Sequence, residues 1–166
     1  RIELIAGQAL RADTGARKVH MADGTAIDYD ALLIATGSKP AKFGWPGQDL
    51  RGVHGMYSLQ DLEGIQKATD AGIKRAVIVG GGLIGIELAE MLHSKKTPVT
   101  MLVREASYAS HILPAEESAM VNEEIRRHGI DLRLSSNLKE IKGEDGRASS
   151  CVTDEGAEIL CNFVGL

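Results

Sequence analysis

Aromatic residues are scarce in this chain: one tryptophan, three tyrosines and two phenylalanines, 4% of the sequence. Cysteine is scarcer still, with Cys151 and Cys161 the only two in 166 residues. Both stand in alternating, strand-like sequence, and they fit neither a metal-ligand spacing nor a C-x-x-C redox pattern. They are read as buried or half-buried thiols, and so low a cysteine content suits a reducing cytoplasm. Positive charge is not in excess either. A net charge of −4 offers no concentrated basic face for nucleic acid. No apolar run approaches the length needed to cross a bilayer, so no membrane partner is expected. The histidines, His111 and His128 among them, are scattered without acidic or nucleophilic companions. No catalytic residue and no metal site is therefore assigned.

What is present is an ordinary soluble composition, 43% hydrophobic and 25% charged, enough for one sizeable core. Residues 1–35 read as extended segments. IELIAGQAL is strand-like, and RKVHMADGTAIDY is a hairpin around Asp23-Gly24. ALLIATG, from Ala31 to Gly37, is a continuous apolar run of the kind buried on both faces of a parallel sheet. Nothing upstream would cover it, so this edge is expected to pair, a second copy of the chain being one partner. The stretch SKPAKFGWPGQDLRGVHGMY is rich in glycine and proline and reads as a linker, with Trp45 packing inside it.

Ser58 and Asp61 form a capping box that opens a helix running to about Asp70. Strand KRAVIVG, a glycine turn, helix LIGIELAEMLHS and strand VTMLV follow. A loop to Pro114 leads into a helix ending near His128, capped by Gly129, and then strand DLRL. This alternation predicts a parallel sheet with right-handed crossovers. After Asn137, LKEIKG, ASSCVTD and AEILCNFVGL predict a β-meander with acidic-glycine turns at Asp145-Gly146 and Glu155-Gly156. Arg1 is not an initiator methionine, and CNFVGL ends on an apolar run without a closing turn. Both ends are expected to be cuts within a longer protein.

The glycine turn carries the chemistry. Gly80, Gly82 and Gly85 give G-x-G-x-x-G between a predicted strand and a predicted helix, with Gly81, Leu83 and Ile84 between them. The first glycine permits the tight turn, the second lets the backbone approach a pyrophosphate, and the third lets helix lie close on strand. The helix N-terminus then presents free N–H groups to phosphate. An S-adenosylmethionine site, or a turn that binds nothing, shares the pattern, but the strand–turn–helix–strand context favours a dinucleotide. An NAD site places an acid at the end of the second strand. The position reached by counting is Val103, which is not acidic. Arg104 follows and suits a 2′-phosphate, while Glu105 suits ribose hydroxyls or simply neutralises Arg104. NAD(P) is the expectation, leaning to the phosphorylated form. Glu87, in the first helical turn, either interacts with the helix dipole or sits near the nicotinamide.

YDALLIATGSKP, a glycine-proline linker and RAVIVGGGLIGIELAEML, in that order, resemble the FAD-dependent pyridine nucleotide-disulfide oxidoreductases. The resemblance covers nearly the whole chain. It implies an α/β fold: a Rossmann-like NAD(P)-binding domain with a parallel sheet and β-meander, preceded by a β-rich fragment of an FAD domain. Residues 1–40 would be the FAD-domain fragment with its hairpin and Ala-Thr-Gly strand, 41–57 the linker, and 58–166 the NAD(P)H domain, truncated at its C-terminal end. Gly80, Gly82 and Gly85 would cradle the NAD(P) pyrophosphate, Glu87 would lie near the nicotinamide, and Ala35, Thr36 and Gly37 would lie beside FAD. Leu83 stands where many members carry an aromatic lid over the flavin, and leucine there is more like rubredoxin reductase or nitrite reductase relatives than a glutathione reductase. The chain also resembles NADH oxidase types. Val103-Arg104 is similar to NADPH-using members, whereas Gly85 is the choice of NADH users. The implied reaction passes hydride from NAD(P)H to FAD and electrons onward to an unidentified acceptor. The partners implied are the missing FAD and C-terminal domains. The 166 residues alone are expected to retain no FAD and to turn over negligibly. A non-catalytic NAD(P)-binding or redox-sensing module is the alternative.

Overall fold

Asp23 and Gly24 close the first hairpin as their chemistry demands. In the computed structural model, which describes residues 2–166, Asp23 Oδ1 accepts from the Thr25 amide at 2.9 Å and Gly24 takes φ +86°. The chain thereby reverses between β2 (Lys18–Met21) and β3 (Ala26–Asp28), and β1 (Ala9–Asp13) pairs with the other edge of β2. The expected strand IELIAGQAL is shorter than predicted. Its pairing stops at Ala9 opposite Met21, where β2 itself ends, and Arg1 lies outside the described residues.

ALLIATG is a second departure. Ala31–Gly37 forms no strand, and Leu33 and Ile34 are exposed. A strand meant to be buried on both faces needs ladder partners on both sides, and no described residue pairs with it. The segments up to Gly37 form one compact unit and Ser38–Leu166 another.

The second unit holds β4 (Val53–His54), α1 (Leu59–Asp70), β5 (Ala76–Val79), α2 (Leu83–Ser94), β6 (Val99–Leu102), α3 (Ala115–Arg127) and β7 (Asp131–Arg133). After these come β8 (Leu138–Glu144), β9 (Arg147–Thr153), β10 (Glu158–Leu160) and β11 (Phe163–Gly165). Five strands make a parallel sheet in the order β4-β11-β5-β6-β7, and β10-β9-β8 make the antiparallel meander. The capping box forms as read: Ser58 Oγ accepts from the Asp61 amide at 3.2 Å while Asp61 Oδ2 accepts from the Ser58 amide at 2.8 Å. The Ser58 amide first, then the Ser58 hydroxyl and the Tyr57 amide, hold the Asp61 carboxyl below its ordinary value.

Successive side chains of a strand leave on opposite faces, and here each face has its own core. Ala76, Ile78, Val99, Met101 and Phe163 point into the core shared with the helices, where Ile65, Leu88, Leu92 and Ile125 meet them. Val77, Leu102 and Val164 point the other way, against Leu138, Ile141, Ala148, Cys151 and Ile159 of the meander. Both cysteines lie in this second core with their sulfurs 3.7 Å apart, as free thiols. The contact with Cys161 and burial together push the Cys151 thiol up, so it stays protonated.

Two expectations change here. The Gly/Pro-rich stretch is not all linker, because Val53 and His54 pair with Val164 and Gly165 as the edge of the parallel sheet. AEILCNFVGL is not one meander strand either. It breaks at Asn162, whose side chain accepts from the Lys74 amide at 2.8 Å, and Phe163–Gly165 enters the parallel sheet between β4 and β5.

His54 stacks on Phe163 with ring centroids 4.8 Å apart and 14° between planes. Partial burial pulls its pKa below the ordinary 6.5, with the Asp61 charge acting in the opposite direction. Since the folded value is the lower one, the stability held by neutral His54 is complete above the unfolded pKa and is lost as pH falls through the folded one. The urea midpoint is expected to drop between pH 7.5 and 5.5, and His54→Phe to flatten that drop. Equal slopes in the two proteins would exclude His54 as the source.

Candidate functional site

The C-terminal ends of β5 and β6 open onto a cleft of about 380 Å³. This is where ligands bind in open parallel sheets, at the point where successive connections leave in opposite directions. Here the chain leaves β5 toward β6, while β11 lies on the other side of β5.

The three motif glycines do three different things. Gly80 has φ +116° and its amide donates to Leu102 O at 2.8 Å, so it makes the turn while tied to β6. A Cβ on Gly85 would stand 2.6 Å from Gly80 O, so this glycine is what lets α2 rest on the end of β5. Gly82 has an extended backbone, φ −85° and ψ 175°, and a Cβ placed there would meet nothing within 4 Å. The space beside Gly82 belongs to the cleft. Gly81 is packed from behind, since its Cβ would come within 2.9 Å of Val103 Cγ1.

Gly82 is also the N-cap of α2, and no side chain caps that terminus. Free N–H groups and the positive end of the helix dipole therefore face the cleft side, the arrangement that binds phosphate. The residues present fit a dinucleotide pyrophosphate. Leu83 and Ile84 open the helix with exposed side chains, and Glu87 is exposed one turn on.

Of the second-strand candidates, Val103 is fully buried and backs Gly81, so it serves packing. Arg104 and Glu105 both line the cleft. Arg104 Nε and Glu105 Oε1 are 2.7 Å apart, with side chains 76% and 30% exposed. The guanidinium hydrogen bond holds the Glu105 carboxyl below its ordinary value, so the pair is fully charged near neutral pH. The structure brings together Gly80, Gly81, Gly82, Arg104 and Glu105. Ala35, Thr36 and Gly37 lie in the other unit, with exposed side chains and backbone.

Several cleft residues carry no motif. The loop between β6 and α3 is pinned by Asn122, which accepts from the Tyr108 amide at 2.9 Å and donates to Ser107 Oγ at 2.7 Å. Tyr108 then stands behind the glycine turn, its hydroxyl 3.4 Å from Gly82 O. Burial first and the Glu87 charge second push its pKa up. His111, Ser136, Asn137, Phe43 and Trp45 also line the cleft. Ser136 and Asn137 were findable from the rule that parallel-sheet sites gather beyond strand ends. Phe43 and Trp45 were not, because they precede the glycine turn by more than thirty positions and reach the cleft only through folding. Among the described residues no His, Cys, Asp and Glu group is disposed to hold a metal, and no helix is long and apolar enough to cross a membrane.

This parallel sheet and glycine turn define a dinucleotide-binding α/β fold. The family described as pyridine nucleotide-disulphide oxidoreductase matches residues 1–165, and the chain belongs to it. Rhodocoxin reductase of Rhodococcus erythropolis is 32% identical over 165 residues, 99% of this chain and 38% of that protein. Rubredoxin-NAD(+) reductase of Pseudomonas putida is 25% identical over 157 residues, covering 95% of this chain and 40% of its own length. The crystal structure of a ferredoxin reductase from Rhodopseudomonas palustris superposes with a TM-score of 0.89 at 27% identity, covering 99% of this chain and 40% of that one. The chain thus spans about two fifths of the length of the relatives it matches.

Proposed function

We propose that this chain is the NAD(P)H-binding part of a flavoprotein oxidoreductase. The observation that carries the reading is the uncapped α2 N-terminus behind Gly82, open to a cleft flanked by Arg104 and Glu105. When bound, NAD(P)H supplies a hydride for FAD held by the longer polypeptide, and electrons pass on to an acceptor. The protein's own contribution is binding and aim. Gly82 admits the pyrophosphate, the α2 amides hold it, and Leu83, Ile84 and Glu87 continue from the turn toward the nicotinamide end. Ala35, Thr36 and Gly37 would lie beside FAD, which the 166 residues are not expected to retain. The names of the relatives support a small electron-carrier protein, a ferredoxin or rubredoxin, as the acceptor class.

Arg104 is proposed to favour NADPH. Its guanidinium lies in the cleft lining, mostly exposed, with Glu105 as counter-ion. Calorimetric titration of NADPH and NADH into the chain tests both parts. Binding of either supports the dinucleotide reading, and binding of neither overturns it. The expected preference for NADPH is about fivefold, as suits one solvent-exposed charge interaction, and Arg104→Ala should erase it. A preference for NADH would assign Glu105 to the ribose hydroxyls instead.

A further inference from the structure

Aromatic side chains are few in this protein, yet two of its six stand together in the lining of the cleft that the glycine turn also lines. Phe43 and Trp45 pack edge to face, with centroids 5.2 Å apart and 77° between planes. Trp45 is half-buried against the meander core, whereas the Phe43 ring is 76% exposed. An exposed phenylalanine in the lining of a cleft is apolar area that a flat ligand would cover.

The wall is built rigidly. Trp45 O accepts from the Gln48 amide at 3.1 Å, and Gln48 Oε1 accepts from the Gly44 amide at 3.0 Å. Lys42 Nζ bonds Asp49 at 2.8 Å, closing the loop across its base. Pro46 O accepts from the Ile141 amide at 2.8 Å, which ties the loop to β8. Gly47, at φ +82°, makes that approach possible, because a Cβ there would fall 1.9 Å from Ile141 O. None of these bonds serves a regular strand or helix. They hold a loop so that it shows an aromatic ring to the cleft.

We infer that Phe43, backed by Trp45, is the stacking platform for the adenine base of the bound dinucleotide. This rests on the dinucleotide reading above and adds to it which part of the ligand this wall receives. The pyrophosphate belongs at Gly82, and Arg104 and Glu105 serve the adenosine ribose. The same cleft then offers the remaining flat, weakly hydrated group a flat, exposed ring. A base stacks on an aromatic side chain without needing a specific hydrogen-bond pattern.

Trp45 is the only tryptophan, so its fluorescence reports this wall alone. Adding ADP-ribose, which lacks the nicotinamide, is expected to change Trp45 emission in the wild-type chain and to bind by calorimetry. Phe43→Leu should weaken ADP-ribose binding about tenfold, in keeping with the loss of one base–aromatic contact. Phe43→Tyr should restore it. Phe43 is largely exposed, so neither variant should shift the unfolding midpoint, and that is measured alongside. If Phe43→Leu binds ADP-ribose as tightly as wild type, the platform is overturned while the dinucleotide reading stands. If the wild-type chain binds neither NAD(P)H nor ADP-ribose, both fall together.

Discussion

Gly82→Val is expected to weaken NAD(P)H binding on the order of 100-fold, ~2.7 kcal/mol, while leaving the protein folded. The two halves of that expectation come from separate observations. The Gly82 backbone is extended and its Cβ position is free, so valine has room in the fold. The only local cost is a poorer N-cap, about 1 kcal/mol at most. The valine methyls would then occupy the space through which a pyrophosphate must approach the α2 amides. Gly85→Ala is the contrasting control. Its new Cβ would meet Gly80 O at 2.6 Å, so it should lower stability by displacing α2 before any ligand is added. Calorimetry and urea unfolding on both variants separate the outcomes. Wild-type affinity in Gly82→Val would mean that the ligand does not pass over this turn.

Phe163→Ala should cost about 3–5 kcal/mol, the usual loss for a fully buried aromatic ring. Domains of this kind are stable by only roughly 5–15 kcal/mol, so the variant would be near the edge of folding. Phe163 has no exposed surface and lies in β11, between β4 and β5. Its removal empties the helix-side core next to β5, whose end borders the cleft, and leaves the His54 ring without its stacking partner. Phe163→Leu, which keeps most of the volume, should cost about 1.5 kcal/mol or less. Equilibrium urea unfolding is the measurement. A loss below about 1 kcal/mol for the alanine variant would contradict the full burial of Phe163 between β4 and β5.

Much of this fold was legible in order. Each helix of the parallel sheet unit begins and ends within a residue or two of where its local pattern places it, α1 at its capping box, α2 at the glycine turn and α3 between Pro114 and Gly129, because such signals are local chemistry. Ser58 and Asp61 bond each other wherever the rest of the chain goes. Gly80, Gly82 and Gly85 are of the same kind, since strand, turn and helix sit in one short span. The misreadings share the opposite property. FVG reads like an extension of the meander, and VH like part of a linker, yet the two pair with each other in one sheet. ALLIATG reads as a buried strand and forms none among the described residues.

By itself, the order of residues determined the alternation of helix and strand, the glycine turn and the family resemblance, because each depends on neighbours a few positions apart. Tertiary structure alone decided that β11 enters the sheet between β4 and β5 and that Phe43 and Trp45 line the same cleft as the glycine turn. Those arrangements join residues far apart in the chain, and their energy comes from packing and ladder hydrogen bonds that no local pattern records.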